Sequence, residues 1–153
     1  MESYHTVADR GEAEIEVNGS TFRAVVAPVD SVEAAEAFVD SVREAYPDAR
    51  HVVPAYRVPV DGPDGRASGA GTMLREWASD DGEPSGSSGK PALNVLERRD
   101  LRNLAVAVVR YKNGPNLGVG GLARSYARAV SAAVDDAGVT EDVPHARVSV
   151  RTG

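Results

Sequence analysis

Two glycine-rich segments carry the residues of this chain best suited to chemistry. The first reads Asp80-Asp81-Gly82-Glu83-Pro84-Ser85-Gly86-Ser87-Ser88-Gly89-Lys90-Pro91. The second reads Gly114-Pro115-Asn116-Leu117-Gly118-Val119-Gly120-Gly121, with Arg124 shortly after it. Each precedes a stretch with helical periodicity, so each would present backbone N–H groups at a helix N-terminus beside a cation, which suits an anion. Tight turns that need positive φ use the same residues and are the plainer reading. Neither segment is a nucleotide fingerprint. The phosphate-loop spacing requires a glycine where Pro84 stands and a Ser or Thr where Pro91 stands. The second segment lacks Gly-x-Gly-x-x-Gly, and no acidic residue follows it before Asp135.

Other chemistries have less to stand on. Ser85, Ser87 and Ser88 lie beside Lys90, but no Gly-x-Ser-x-Gly elbow is present. Asp80, Asp81 and Glu83 suit acid–base or magnesium chemistry, and equally a solvated acidic loop. His5, His51 and His145 sit in separate segments without ligand spacing, and there is no cysteine. That excludes disulfides, thiol catalysis and thiolate metal sites, and the expectation is no metal and no cofactor.

The chain has 153 residues, of which 42% are apolar, enough for one domain with a core of its own. Residues 1–10 lack the apolar run of a signal peptide, and no stretch approaches a membrane span, so the expected location is cytoplasmic. There are 23 acidic residues against 17 Lys and Arg, and only Lys90 and Lys112 are lysines. An acidic surface with arginine in place of lysine fits a halophilic archaeon, and a GC-rich genome leaves the same imprint. The charge is uneven: residues 90–131 hold eight basic and two acidic side chains, a net +6 against −12 for the remainder.

The elements that must position these residues follow from periodicity. Residues 12–17 and 20–28 alternate around Asn18-Gly19 and read as a hairpin. Asp30 and Glu33 suggest a capping box for a helix that Pro47 stops. Residues 51–60 read as a strand with an irregular edge at Pro54 and Pro59. Residues 61–71 read as a loop, and 72–77 are ambiguous. A helix is expected over 91–99, a strongly buried strand over 104–111 and a long helix over 122–137 that Gly138 ends. Residues 145–150 alternate as a last strand.

Read together, these motifs carry a resemblance. Asp80 to Gly86, then Gly89-Lys90-Pro91, Val109-Arg110-Tyr111 and Leu117-Gly118-x-Gly120-Gly121-Leu122-x-Arg124-x-Tyr126 resemble the signature of the IMPACT/YigZ family. Phe22-x-Ala24 after a small residue, and His51 five residues before Tyr56, are similar to that family's first half. The resemblance implies an α+β fold like the second domain of small-subunit ribosomal protein five. That fold is a four-stranded mixed sheet with helices packed on one face. It also implies translational control, since eukaryotic relatives bind the activator of a general-control kinase and bacterial relatives have been proposed to bind nucleic acid. Departures are Lys112-Asn113-Gly114 for aromatic-Gly-Gly, Pro115-Asn116 for Thr-Lys, and Ser87-Ser88 for Thr-Ala. Bacterial and archaeal relatives usually add a ferredoxin-like second domain, so the expected organisation is a domain over 1–138 and a tail or strand over 139–153.

The expected function is therefore a non-catalytic, translation-associated binding protein. Its two loops would recognise RNA or the ribosome, or a translation-control protein. Lys90, Arg110, Gly118, Gly120, Gly121 and Arg124 are the expected anion-binding residues, with Glu83 orienting one of the cations. Asp80, Asp81, Gly82, Glu83, Pro84, Ser85 and Gly86 form the adjoining loop, and His51, Tyr56, Tyr111 and Tyr126 are accessory. The alternative is a small-molecule enzyme acting on a phosphorylated or carboxylated substrate in the same loops. An open edge on the strand at 145–150 points to a homodimer.

Overall fold

The nearly unbroken apolar run of Leu104–Tyr111 is buried along most of its length. Leu104, Val106 and Val108 belong to one packed cluster, and Ala105, Ala107 and Val109 to a second on the opposite face. A strand apolar on both faces belongs in the middle of a sheet that is covered from both sides. The computed structural model, which describes residues 4–60, 73–111 and 114–142, has that arrangement. In chain order its elements are β1 (Tyr4–Val7), β2 (Gly11–Val17), β3 (Ser20–Pro28), α1 (Val32–Ala45), β4 (His51–Pro59), β5 (Leu74–Ala78), α2 (Gly89–Arg98), β6 (Leu104–Tyr111), α3 (Gly118–Ala137) and β7 (Val139–Asp142). One sheet runs β2-β3-β6-β4-β5, and β1 pairs with β7 in a separate ribbon. On one face α2 and α3 bring Leu96, Tyr126 and Val130 against Val106 and Val108. On the other, α1 sets Phe38, Val39 and Val42 against Val25 and Ala107.

The α+β class stands, and the details differ from the sequence reading. The sheet has five strands rather than four, and every pair is antiparallel rather than mixed. Residues 74–78, ambiguous in sequence, return as β5 along β4, so α2 carries the chain back and β6 enters antiparallel to β4. Helices cover both faces rather than one, because β6 is apolar on both. The cap of α1 is Ser31, whose Oγ accepts the Ala34 N–H at 3.0 Å, rather than Asp30, which lies one residue too early. α2 and α3 start at Gly89 and Gly118, ahead of the first turns read from sequence. β1 is too short and polar to read as a strand, yet it buries Val7 and pairs with a strand that starts at Val139, directly after Gly138. The strand expected at 145–150, the loop at 61–71, Thr72, Lys112 and Asn113 lie outside the described residues.

This topology gathers the functional segments at one end. Arg110, near the end of β6, lies opposite Phe22 of β3 and His51 of β4. Arg99, just past α2, reaches Ser131 Oγ at 3.1 Å and Asp135 at 2.9 Å on the later turns of α3. The two helices therefore run parallel, and both begin at the Arg110 end of the sheet.

Candidate functional site

Arg110 follows the alternation of β6 and points to the α2/α3 face, where it is buried. Its guanidinium lies 5.4 Å from the Phe22 ring centroid, and Phe22 meets Tyr126 edge-on at 5.1 Å. A cation enclosed this way needs a counter-ion, and Glu83 provides it: Nη1 donates to Oε1 at 2.8 Å and to Oε2 at 2.7 Å. Nη2 donates to Ser20 Oγ at 3.2 Å, and the Tyr126 hydroxyl donates to Glu83 Oε2 at 2.5 Å. Burial, and then the bond to Glu83, push the Tyr126 phenol far above its ordinary range, so it stays a donor. One ion pair thus ties the first glycine-rich loop to β6, β3 and α3.

The rest of that loop is held by bonds within itself and to β4. The Asp80 carboxylate accepts the N–H groups of Gly86 at 2.8 Å, Ser88 at 3.2 Å and Gly89 at 2.9 Å, and the Ser88 hydroxyl at 3.0 Å. Burial would raise the Asp80 pKa, but these donors outweigh it and hold the carboxyl below its ordinary value. Asp80 is thus the anion on the N-terminus of α2. Asp81 accepts the Val52 N–H at 2.7 Å, and its carbonyl lies 2.8 Å from His51 Nδ1. A carbonyl only accepts, so Nδ1 carries a proton there, and Nε2 faces Glu83 Oε1 at 3.7 Å. Gly82, at φ +90, lies against the His51 ring. The Ser87 hydroxyl donates to the Pro84 carbonyl at 2.6 Å, so neither Ser87 nor Ser88 is a poised nucleophile. Pro84, Ser85 and Gly86 are exposed at the tip.

The second loop ends differently. The Gly114 N–H donates to Ser20 Oγ at 2.9 Å, and a Cβ on Gly114 would fall 2.0 Å from the Asn18 carbonyl, so only glycine lets the loop lie on the β2–β3 turn. α3 starts at Gly118 with φ +74, after Leu117, whose side chain offers no cap. Gly118, Val119 and Gly120 are exposed at that first turn, and Gly121 is half-buried. Arg124 is exposed, with its guanidinium folded toward Gly120, where a Cβ would sit 3.4 Å from Nη1. No carboxylate among the described residues pairs with it.

The expected site residues therefore divide. Arg110, expected among the anion-binding residues, is buried, and its Nη1 and Nη2 are engaged by Glu83 and Ser20. Lys90 is exposed at the start of α2 but shares a cleft of about 460 Å³ with Glu76, Asp80 and Glu97. Tyr56 lies on the α1 face beside Trp77, away from the loops. Tyr111 donates to Glu14, a bond that with burial pushes its pKa up to about 12. His51 and Tyr126 join the Glu83 network. Sequence reasoning missed Ser20, whose Oγ accepts from both Arg110 and the Gly114 N–H of the second loop; its signal was a polar residue on the buried face that Phe22 and Ala24 share. Among the described residues, no cluster of His, Asp and Glu could hold a metal ion.

The Impact N-terminal domain family matches residues 18–134. The chain belongs to the IMPACT family. IMPACT family member YvyE of Bacillus subtilis is 35% identical over 141 residues, which is 92% of this chain and 60% of that protein. IMPACT family member YigZ of Escherichia coli is 40% identical over 120 residues, 78% of this chain and 54% of YigZ. The chain thus spans 54–60% of the length of these IMPACT relatives. A crystal structure described as a hypothetical protein superposes with a TM-score of 0.80 at 36% identity, covering 94% of this chain and 65% of that one. The two-domain translational regulator Yih1 superposes with a TM-score of 0.50 at 29% identity, covering 88% of this chain and 47% of Yih1. No helix among the described residues is long and apolar enough to cross a membrane.

Proposed function

We propose that this IMPACT-family domain is a non-catalytic binding module of translational control, which docks ribosomal RNA on the first turn of α3. The likeness to the translational regulator Yih1 supports the setting. The observation that carries the docking site is the contrast between the two helix starts. Asp80 already places a carboxylate on the N-terminus of α2, whereas α3 opens with exposed backbone whose Gly118 N–H meets only the neutral Asn116 Oδ1, at 3.0 Å, and beside an Arg124 that no carboxylate among the described residues pairs with. Such a helix start attracts a phosphate, and the glycines let it approach the backbone closely. The Glu83–Arg110–Tyr126 network holds this turn on the sheet. The enzyme reading gains no such support, because Glu76, Asp80 and Glu97 beside Lys90 oppose a phosphorylated or carboxylated substrate.

Co-sedimentation with ribosomes over a salt series tests the proposal. Binding should weaken steeply with salt, and Arg124→Ala should lower the slope of log affinity against log salt by about 0.7–0.9 for the lost phosphate contact. Unchanged binding by Arg124→Ala, in a variant that folds as the parent does, would refute it. Capture of a translation-control protein with little salt dependence would replace RNA by a protein partner.

A further inference from the structure

The five-stranded sheet has two edges, β2 and β5, and only β5 is laid out to receive a further strand. Ser79 donates its N–H to the Pro54 carbonyl at 3.2 Å, and Val60 donates to the Met73 carbonyl at 2.9 Å. Antiparallel pairing alternates, so the odd-numbered residues of β5 turn their peptide groups toward β4. Leu74, Glu76 and Ala78 turn theirs outward, where no backbone partner among the described residues meets them. At β2 the pair Val17–Ser20 closes a two-residue turn, so the outward residues are Glu12, Glu14 and Glu16. Any antiparallel pairing of β2 with its own copy sets glutamate against glutamate, and the Glu12 N–H already donates to Asp136 Oδ2 at 3.0 Å.

The side chains along β5 are also uncovered. Trp77, the only tryptophan of the chain, is 43% exposed, and Met73 on the same face is 63% exposed. α1 packs against β4 and β6 on that face and leaves Trp77 open. On the other face α2 runs back along β5. Glu97 shares a hydrogen bond with Glu76, while Lys90, about 10 Å earlier on the helix, lines the same cleft near Asp80. Lys90 and Glu97 are exposed, and neither forms an ion pair among the described residues. Glu76 accepts from Arg57 at 2.7 Å, so the two carboxylates share one bonded cation. The bond to Glu76, and then burial, hold the Glu97 carboxyl above its ordinary value, as expected of a carboxylate short of a counter-ion.

We propose that β5 pairs antiparallel with β5 of a second copy of this chain, about a two-fold axis at Trp77, so that two sheets become one. In that register Glu76 of each copy exchanges backbone bonds with Ala78 of the other, and Arg75 stands opposite Ser79. An axis at Arg75 or Glu76 would instead oppose like charges. The Trp77 rings meet across the axis as a non-hydrogen-bonded pair, where facing side chains are closest. The same axis sets the two α2 helices antiparallel on one face. Glu97 lies level with Glu76, about 3 Å to one side of Trp77, and Lys90 lies about 7 Å to the other side. The axis therefore brings Lys90 of each copy to about the level of Glu97 of the other, which supplies the missing counter-ion twice. This surface is separate from the first turn of α3.

The test is the mass of the chain by sedimentation over a concentration series at about 0.1 M salt, where nearby surface charges still interact. Trp77 fluorescence and amide exchange are read on the same samples. The mass should rise to twice that of one chain as the Trp77 emission moves to the blue. Exchange should slow with concentration at Glu76 and Ala78, but not at Trp77, whose N–H already faces β4. Lys90→Glu and Glu97→Lys should each weaken the dimer about tenfold, because two attractive contacts become repulsive. An equimolar mixture of the two variants restores both attractive contacts and should recover the parent's affinity in a mixed dimer. A mass that stays that of one chain, exchange at Glu76 and Ala78 that ignores concentration, or a mixture no tighter than its components would each overturn the proposal.

Discussion

Replacing Glu83 tests whether the Glu83–Arg110 pair is what joins the first glycine-rich loop to the sheet. The two side chains are 3% and 7% exposed, so a guanidinium without Glu83 has neither counter-ion nor water. Removing one partner of such a pair costs about 3–5 kcal/mol. Alanine also strips the acceptor from Tyr126, a loss of about 1–3 kcal/mol that overlaps with the first because the groups share one network. Glu83→Gln keeps the shape and an acceptor for Tyr126 but removes the charge, so its cost should fall near 3 kcal/mol. Against a total stability of about 5–15 kcal/mol, either variant is close to marginal. The informative comparison is therefore the double variant Glu83→Gln with Arg110→Met. It buries no charge and should be more stable than Glu83→Gln alone. Urea unfolding followed by circular dichroism gives the midpoints, and an unchanged m-value keeps them comparable. If Glu83→Gln lies within about 1 kcal/mol of the parent, or the added Arg110→Met destabilises it further, the reasoning about an enclosed counter-ion fails.

Asp80→Asn should destabilise by about 0.5–2 kcal/mol through the lost cap on α2. Because the Asp80 pKa is depressed in the folded state, its contribution is complete above the ordinary value of 3.8 and is lost as pH falls through the lower folded value. Acid titration of the parent should show that loss and the variant should not. Tyr111 behaves in the opposite sense: with its pKa raised from 10.0 to about 12, its contribution is complete below pH 10 and disappears as pH rises toward 12. Tyr111→Phe should flatten the alkaline limb of an unfolding profile over that range. At Gly11, a Cβ would fall 2.5 Å from the Ala137 nitrogen and 2.6 Å from the Ala133 carbonyl, backbone atoms of α3 that cannot rotate away. Gly11→Ala should therefore cost about 1–3 kcal/mol, measurable as a lower melting temperature with the fold retained.

Much of the frame was decided locally. Asn18-Gly19 supplies two consecutive positive φ angles, 49° and 86°, for the β2–β3 turn, so that hairpin was legible from two residues. The apolar stripe of α3 and the unbroken run of β6 are periodic signals that hold whatever surrounds them. The two loops and their motifs were legible for the same reason, and they also carried the family. What the sequence could not decide was which residue meets which. Asp80, Asp81 and Glu83 lie within four positions of one another and look alike, yet one caps α2, one accepts the Val52 N–H and one is buried against Arg110. Arg110 and Arg124 looked equally ready for an anion. Their fates diverge because Glu83 lies 27 residues from Arg110 and 43 from Tyr126, and only the antiparallel crossing of β3, β6 and β4 brings those segments together. The face that each helix covers was open for the same reason: β6 is apolar on both sides, and only the order of the five strands sends α1 to one side and α2 with α3 to the other. Local periodicity is a property of neighbouring residues, whereas the partner of a buried charge is set by how distant segments pack.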